Sequence, residues 1–331
     1  MPIAGPSLTL APHGVATVRA VVNTAAGGVG PDAALRLAEI AAEFGLEIEI
    51  VETDPENLRR TLAAAVAAAP DLLVALGGDG TAAMAASLCG SGGPVLAPLA
   101  GGTMNMLPHA LYGPRPWPQA LREALAGGRV VEVSGGEVAG RVFHVAAILG
   151  EPALWAEARE AVRRRPHLIL AHVRRAWARA FSGRLRYCLD GGETRKAEAL
   201  ALLSPLASRA LDTDDALEAA AIDPKDALEA FRLGFAALTG RWRDDPAVTA
   251  RPCSGGRVWA KGQIPAVLDG EPCRLPSPVR FGFKPCVFRA LASADYRPLA
   301  RPADKPIPLE APLEPMGTAP MGTAPMGATP T

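Results

Sequence analysis

Residues 72–81, Leu-Leu-Val-Ala-Leu-Gly-Gly-Asp-Gly-Thr, constrain the fold of this chain more than any other stretch. Five apolar residues follow Pro70-Asp71 and stop at glycines, which suits a short strand buried on both faces of a parallel sheet. Gly77, Gly78 and Gly80 then form a turn whose backbone reaches torsions closed to other residues. With no side chains in the way, its N–H groups can close on an anion, as a nest does. Thr81 reads as the cap of the Ala-rich helix that follows, whose positive end points at the same place. Asp79, in the middle of the turn, is placed to bind a metal or a hydroxyl. The stretch reads as a cradle for a phosphate group. Its plainer alternative is a tight strand-to-helix turn that Asp79 only braces. No Gly-Lys-Ser/Thr follows the glycines, so it is not a Walker A loop.

The flanking sequence repeats the same grammar. Residues 17–22, 47–51 and 95–99 read as further strands, separated by helical stripes such as Leu58, Leu62 and Val66. Strand and helix alternating in units of about 25–30 residues indicate a parallel sheet with right-handed crossovers. Past Gly128 the texture changes to short strand-like runs with turn signals, at 129–134, 137–139, 142–148, 184–189, 197–203, 258–259, 266–268, 279–283 and 287–291. Two helical segments, 153–180 and 224–238, interrupt them. This pattern predicts a mainly antiparallel β-sandwich. The expected organisation is an irregular start (1–16), an α/β domain that carries the cradle (17–128), and a β-sandwich domain (129–300) whose last segment is expected to return to the first. Residues 301–331 end in a Pro-Met-Gly-Thr-Ala repeat with too little apolar surface to offset ordering entropy, and read as a disordered tail.

Whole-chain properties close off several classes. Lys+Arg and Asp+Glu number 34 each, so no global field attracts nucleic acid. Five cysteines (Cys89, Cys188, Cys253, Cys273, Cys286) lack metal-ligand spacing and read as reduced thiols of a cytoplasmic protein. No charged n-region precedes an apolar h-region, and no apolar run reaches about 18 residues, so neither secretion nor a membrane span is expected. The histidines, His144 among them, show no ligand spacing and receive no role.

Gly-Gly-Asp-Gly-Thr resembles the signature shared by diacylglycerol, sphingosine and ceramide kinases and, more distantly, NAD kinases. Further stretches resemble the lipid-kinase branch in order. Residues 23–27 (Asn23, Thr24, Ala25, Ala26, Gly27) are similar to its first nucleotide loop, with Thr24 in place of the usual proline. Thr53 matches a threonine the family places near the phosphates. Residues 98–105 resemble Pro-Leu-Gly-Thr-x-Asn, carrying Gly102, Thr103 and Asn105 with one extra loop residue. Asp269-Gly270-Glu271 matches a late Asp-Gly-Glu motif. The resemblance spans roughly residues 17–292. It implies an α/β domain plus a β-sandwich, ATP and Mg²⁺ as cofactors, and a membrane lipid as acceptor. It also implies transient contact with the inner face of the membrane; a homodimer is left open. Asp212, Asp215 and Leu217 fall where the family holds a structural Mg²⁺, although Ala216 replaces the usual glycine. A solvated acidic turn is the alternative there.

Phosphoryl transfer to an alcohol needs phosphate positioning, a divalent cation and a carboxylate to accept the proton. Glycine loops at 23–28, 77–81 and 101–103 fit the first requirement, at the strand-end crevice where open α/β sheets bind ligands. Asp269 and Glu271 are the candidates for the base, with Asp79 a further catalytic or metal-binding carboxylate. Resemblance does not choose between Asp269 and Glu271, and an Asp-Gly hairpin turn is the alternative reading of that motif. Met84 and Met106 stand where the family commonly has Glu and Asp. The expected activity is an ATP-dependent lipid kinase acting on diacylglycerol. A ceramide or sphingoid-base kinase, or a regulator that has lost catalysis, are its rivals.

Overall fold

The computed structural model describes residues 15–150, 185–208, 211, 215–223 and 245–296. The expected helices at 153–180 and 224–238 lie outside these residues, as do Asp212 and the repeat tail. The first half alternates as expected: β1 (Thr17–Asn23), α1 (Ala33–Glu43), β2 (Glu47–Thr53), α2 (Leu58–Ala67), β3 (Leu72–Gly77), α3 (Asp79–Cys89), β4 (Val95–Ala100), α4 (Met106–Tyr112) and α5 (Trp117–Gly127). Strands β2, β1, β3 and β4 lie side by side and parallel. All six residues of β3 are buried, as a central strand covered on both faces requires. Leu37 and Ile40 of α1 and Leu62 of α2 are fully buried against this sheet, so the helical stripes face the core.

The second half is strand-rich: β5 (Arg129–Val138), β6 (Arg141–Phe143), β7 (Ala146–Gly150), β8 (Leu185–Leu189), β9 (Arg195–Ala197), β10 (Ala199–Leu203), β11 (Leu217–Ile222), β12 (Val248–Cys253), β13 (Gly255–Trp259), β14 (Ile264–Leu268), β15 (Glu271–Leu275) and β16 (Val279–Ala292). β16 pairs parallel with β4 at Ala290↔Leu96 and antiparallel with β5 and β13, extending the first sheet to ten strands. The second sheet is wholly antiparallel, in the order β12-β11-β10-β7-β14-β15. An α/β part with a mostly parallel sheet, followed by a separate antiparallel sheet, is the expected fold class.

The boundaries differ where side chains intervene. The run expected at 142–148 is two strands, β6 and β7, because the Asp269 carboxylate takes the amides of His144, Val145 and Ala146 out of the ladder. Conversely, the paired runs expected at 129–134 and 137–139, and at 279–283 and 287–291, merge into the single strands β5 and β16, the latter irregular in register between Lys284 and Phe288. β12 and β15 carry no clear apolar signal because they are the edges of the second sheet, where most of their residues are exposed. Pro272 is tolerated in β15 for the same reason.

Candidate active site

The three glycine loops meet through their backbones at the carboxyl ends of the parallel strands. Gly28 N–H donates to Gly101 O (2.8 Å), and Gly101 N–H donates to Gly77 O (2.8 Å). Side chains would break this contact. A Cβ on Gly102 would lie 2.6 Å from Gly78 Cα, one on Gly101 2.7 Å from Val29 Cγ2, and one on Gly77 2.5 Å from Thr81 Oγ1. Gly27, Gly78 and Gly80 are different. No atom lies within 4 Å of a Cβ at Gly27 or Gly80, and at Gly78 only Gly102 Cα does, at 3.6 Å. Gly77, Gly101 and Gly102 therefore lock the loops together, while Gly27, Gly78 and Gly80 leave open space that a ligand can enter.

Helix α3 begins at Asp79 with Gly78 as its N-cap, and Ala82 N–H is the first amide to donate back, to Gly78 O (3.0 Å). Thr81 is therefore not the cap. Its buried hydroxyl accepts Asn23 Nδ2 (3.0 Å), tying β1 to α3. The amides of Asp79, Gly80 and Thr81 precede the first helical bond and form the positive end of α3. Asn23 Oδ1 also accepts Ala25 N–H (3.2 Å), which shapes the first loop, where Thr24, Ala25 and Gly27 are exposed and Ala26 is partly buried. Thr53 borders this loop through its carbonyl, which accepts Thr24 N–H (3.1 Å). Its hydroxyl turns away to Thr61 Oγ1 (3.1 Å) and Asp54 O (3.3 Å) on the α2 side.

Asp79 reaches across to the third loop. Oδ2 accepts Asn105 N–H (2.9 Å) and Oδ1 accepts Met106 N–H (2.6 Å), so the carboxylate caps α4. Asn105 is buried in the left-handed region (φ 51°), and its side chain pairs with both N–H and O of Gly102 at 2.8 Å. Thr103 is exposed beside them. Each Asp79 oxygen keeps further acceptor capacity, since an ionised carboxylate offers about four lone-pair sites. Met84 packs against the core, and Met106 is half exposed at the start of α4.

The Asp-Gly-Glu motif resolves into a turn. Asp269 (φ 47°) and Gly270 (φ 90°) join β14 to β15 with Leu268 opposite Glu271, the positive-φ pair that two-residue hairpins favour. The carboxylates diverge as a result. Asp269, with its side chain 11% exposed, accepts four hydrogen bonds: His144 N–H (2.7 Å) and Nδ1 (3.0 Å) at Oδ2, Val145 N–H (2.8 Å) and Ala146 N–H (3.0 Å) at Oδ1. Burial acts to raise its pKa, but the bonds and charge of His144 and the backbone amides outweigh it and hold the carboxyl below its ordinary value. Glu271 is exposed. Among the described residues no hydrogen bond links Asp269 or Glu271 to the glycine loops. His144 was invisible in the sequence because its partner lies 125 residues away.

Asp215 is partly exposed and Leu217 is buried at the start of β11, whereas Asp212 lies outside the described residues. Among the described residues no group of three His, Cys, Asp or Glu side chains could hold a metal ion. The described residues leave room for a phosphate at Gly27, Gly78 and Gly80 but do not enclose a cation unaided. Burial pushes the Cys89 and Cys253 thiols up to about 12, so neither supplies a thiolate near neutral pH. No helix among the described residues is long and apolar enough to cross a membrane.

Glycine loops gathered at the carboxyl ends of a parallel sheet, with a separate antiparallel sheet following, define the class of α/β fold. Residues 17–138, the stretch that carries the glycine loops, match the diacylglycerol kinase catalytic domain family. The matched family is one of kinases. The fold is similar to that of a diacylglycerol kinase from Bacillus anthracis str. Sterne, at TM-score 0.61 and 14% identity, over 86% of this chain and 99% of that one. Two further structures from the same organism carry provisional diacylglycerol kinase assignments. One has TM-score 0.65 at 17% identity over 86% and 97% of the two chains. The other has TM-score 0.61 at 17% identity over 84% and 98%. No curated protein matches the chain with significance.

Proposed function

We propose that this chain is an ATP- and Mg²⁺-dependent kinase that phosphorylates a free hydroxyl of a membrane lipid, with diacylglycerol as the first acceptor to test. The observation that carries the reading is the open glycine surface at Gly27, Gly78 and Gly80, set before the amide end of α3 within the matched domain. Phosphates approach a backbone closely only where no Cβ intervenes, and N–H groups at a helix start favour their charge. Mg²⁺ would arrive with the nucleotide, because it keeps several waters and prefers phosphate oxygens to an all-protein cage. Glu271 is the better proton acceptor of the late motif, since it is exposed while Asp269 has its lone pairs filled. An acceptor in a bilayer implies that the protein works at the membrane surface.

A second reading has a specific observation behind it. Asp79 and Asp269, two of the three carboxylates expected to act, both hold backbone amides. A regulator that binds nucleotide without transferring phosphate would look the same at these two positions. The test is to incubate the protein with labelled ATP, Mg²⁺ and vesicles containing diacylglycerol, ceramide or sphingosine, and to measure nucleotide binding separately. Labelled phosphatidic acid supports the proposal, and labelled ceramide or sphingoid phosphate moves the acceptor. ATP binding without any labelled lipid favours the regulator, and absence of ATP binding defeats both readings.

A further inference from the structure

One buried ionisable side chain is left over when the site has been described. His144, between β6 and β7, is 1% exposed; its Nδ1 lies 3.0 Å from Asp269 Oδ2, and its Nε2 has no partner. Ser204 Oγ–H donates to His144 O (2.7 Å) and Ser204 N–H to Val145 O (2.9 Å), so the backbone around the ring is pinned from β10 as well. The ring meets Phe288 of β16 edge-on, with centroids 5.6 Å apart at 70°. Asp269 receives three backbone amides and so is held as an acceptor. The proton between this pair therefore resides on Nδ1, and Nε2 is left buried without a partner. An unpartnered buried nitrogen is costly, so the ring's place here is set by the bond its other nitrogen makes to Asp269.

We propose that His144 is a positioning residue for phosphoryl transfer: with Asp269 it locks the β14–β15 turn, so that Glu271 is presented at a fixed angle as the proton acceptor. The proposal rests on the lipid-kinase reading. In the step it serves, Glu271 takes the proton of the lipid hydroxyl. The hydroxyl oxygen's lone pair forms the new O–P bond, the bond between the γ-phosphorus and the bridging oxygen breaks, and ADP leaves with that electron pair. Asp269 and His144 exchange no proton with the substrate. Asp269-Gly270 occupies two positive-φ positions in succession, and Asp269 adopts φ 47° without glycine's freedom. The bond from the His144 ring adds to the three backbone amides that hold this carboxylate, and so the torsion, two residues from Glu271.

Three measurements test this on the full chain. The ¹⁵N shifts of the imidazole should show a protonated Nδ1; a bare Nδ1 with a protonated Nε2 would overturn the pairing. His144→Phe keeps a ring against Phe288 and removes the donor, with His144→Leu repeating the test should the larger ring not fit. Either should lower kcat by on the order of tenfold to a hundredfold at unchanged KM for ATP, the scale of a misplaced catalytic group. His144→Asn, whose side-chain amide can donate where Nδ1 does, should restore most of kcat. Wild-type kcat in the donor-free variants, or equal loss in the Asn variant, would overturn the positioning role. A wild type that phosphorylates no lipid but shows the Nδ1 proton would sink the kinase reading and leave the turn lock standing.

Discussion

At the scale of single residues, the glycines of the motif divide by what surrounds them. Gly102→Ala would drive a Cβ to 2.6 Å from Gly78 Cα, a backbone contact with no flexible end to yield. A cost of about 1–3 kcal/mol is expected, in line with overpacking, and nucleotide binding should fail with it. Gly80→Ala meets nothing within 4 Å and lies in the first turn of α3. Alanine is favoured over glycine inside a helix by up to about 1 kcal/mol, so Tm should hold or rise. If phosphates press on that surface, ATP affinity should nevertheless fall. Thermal melts beside ATP titration separate the two. A Gly80→Ala protein with unchanged ATP affinity would move the phosphates elsewhere. The glycine pattern was legible in the sequence as a turn beside a strand. Which glycines face a loop and which face open space was not, because that depends on contacts between residues about 25 apart.

At the scale of elements, Asp79 does two jobs that compete for its oxygens. As the cap of α4 it satisfies the amides of Asn105 and Met106, which the helix itself cannot. Asp79→Asn would turn an NH₂ group toward one of those amides, donor against donor. Loss of a cap costs about 0.5–2 kcal/mol, so Tm should fall modestly and amide exchange at Asn105 and Met106 should quicken. If Asp79 also serves the nucleotide or its metal, kcat should drop far more than stability; a lowered Tm with wild-type kcat would leave it a cap only. The sequence placed Asp79 beside a cradle but could not show that its carboxylate spans to a helix beginning 27 residues on. The same blindness affected strands. β6 and β7 looked continuous because their apolar pattern is unbroken, and only the carboxylate of Asp269 explains the gap at His144 and Val145. Local periodicity reads strands and helical stripes well, whereas long-range side-chain to backbone bonds leave no local trace.

At the scale of the whole molecule, β16 decides whether the α/β part and the antiparallel part behave as one body. Its carboxyl half places Val287, Phe288, Ala290, Leu291 and Ala292 in the first hydrophobic cluster. Its amino half places Val279 and Phe281 in the second, with Phe283 packed against it. The strand also hydrogen-bonds to β4, β5 and β13, so unfolding either cluster would strip β16 of partners the other needs. Tyr112 O–H, donating to Leu291 O at 2.7 Å, ties α4 to the same strand. A single cooperative transition is therefore expected across residues that the sequence divides by texture near Gly128. Phe288 is fully buried, and Phe288→Ala should cost about 3–5 kcal/mol, the usual scale for a core aromatic. Urea unfolding should be followed by tryptophan fluorescence in two single-tryptophan proteins. Trp117 in α5 lies in the first cluster and reports that side, and Trp259 in β13 reports the other. Both probes should give one midpoint in the parent, and the Phe288→Ala variant should move both down together with an unchanged slope. A variant in which the Trp117 signal melts early while Trp259 keeps its parental midpoint would show two independent units, with β16 serving as a tether between them.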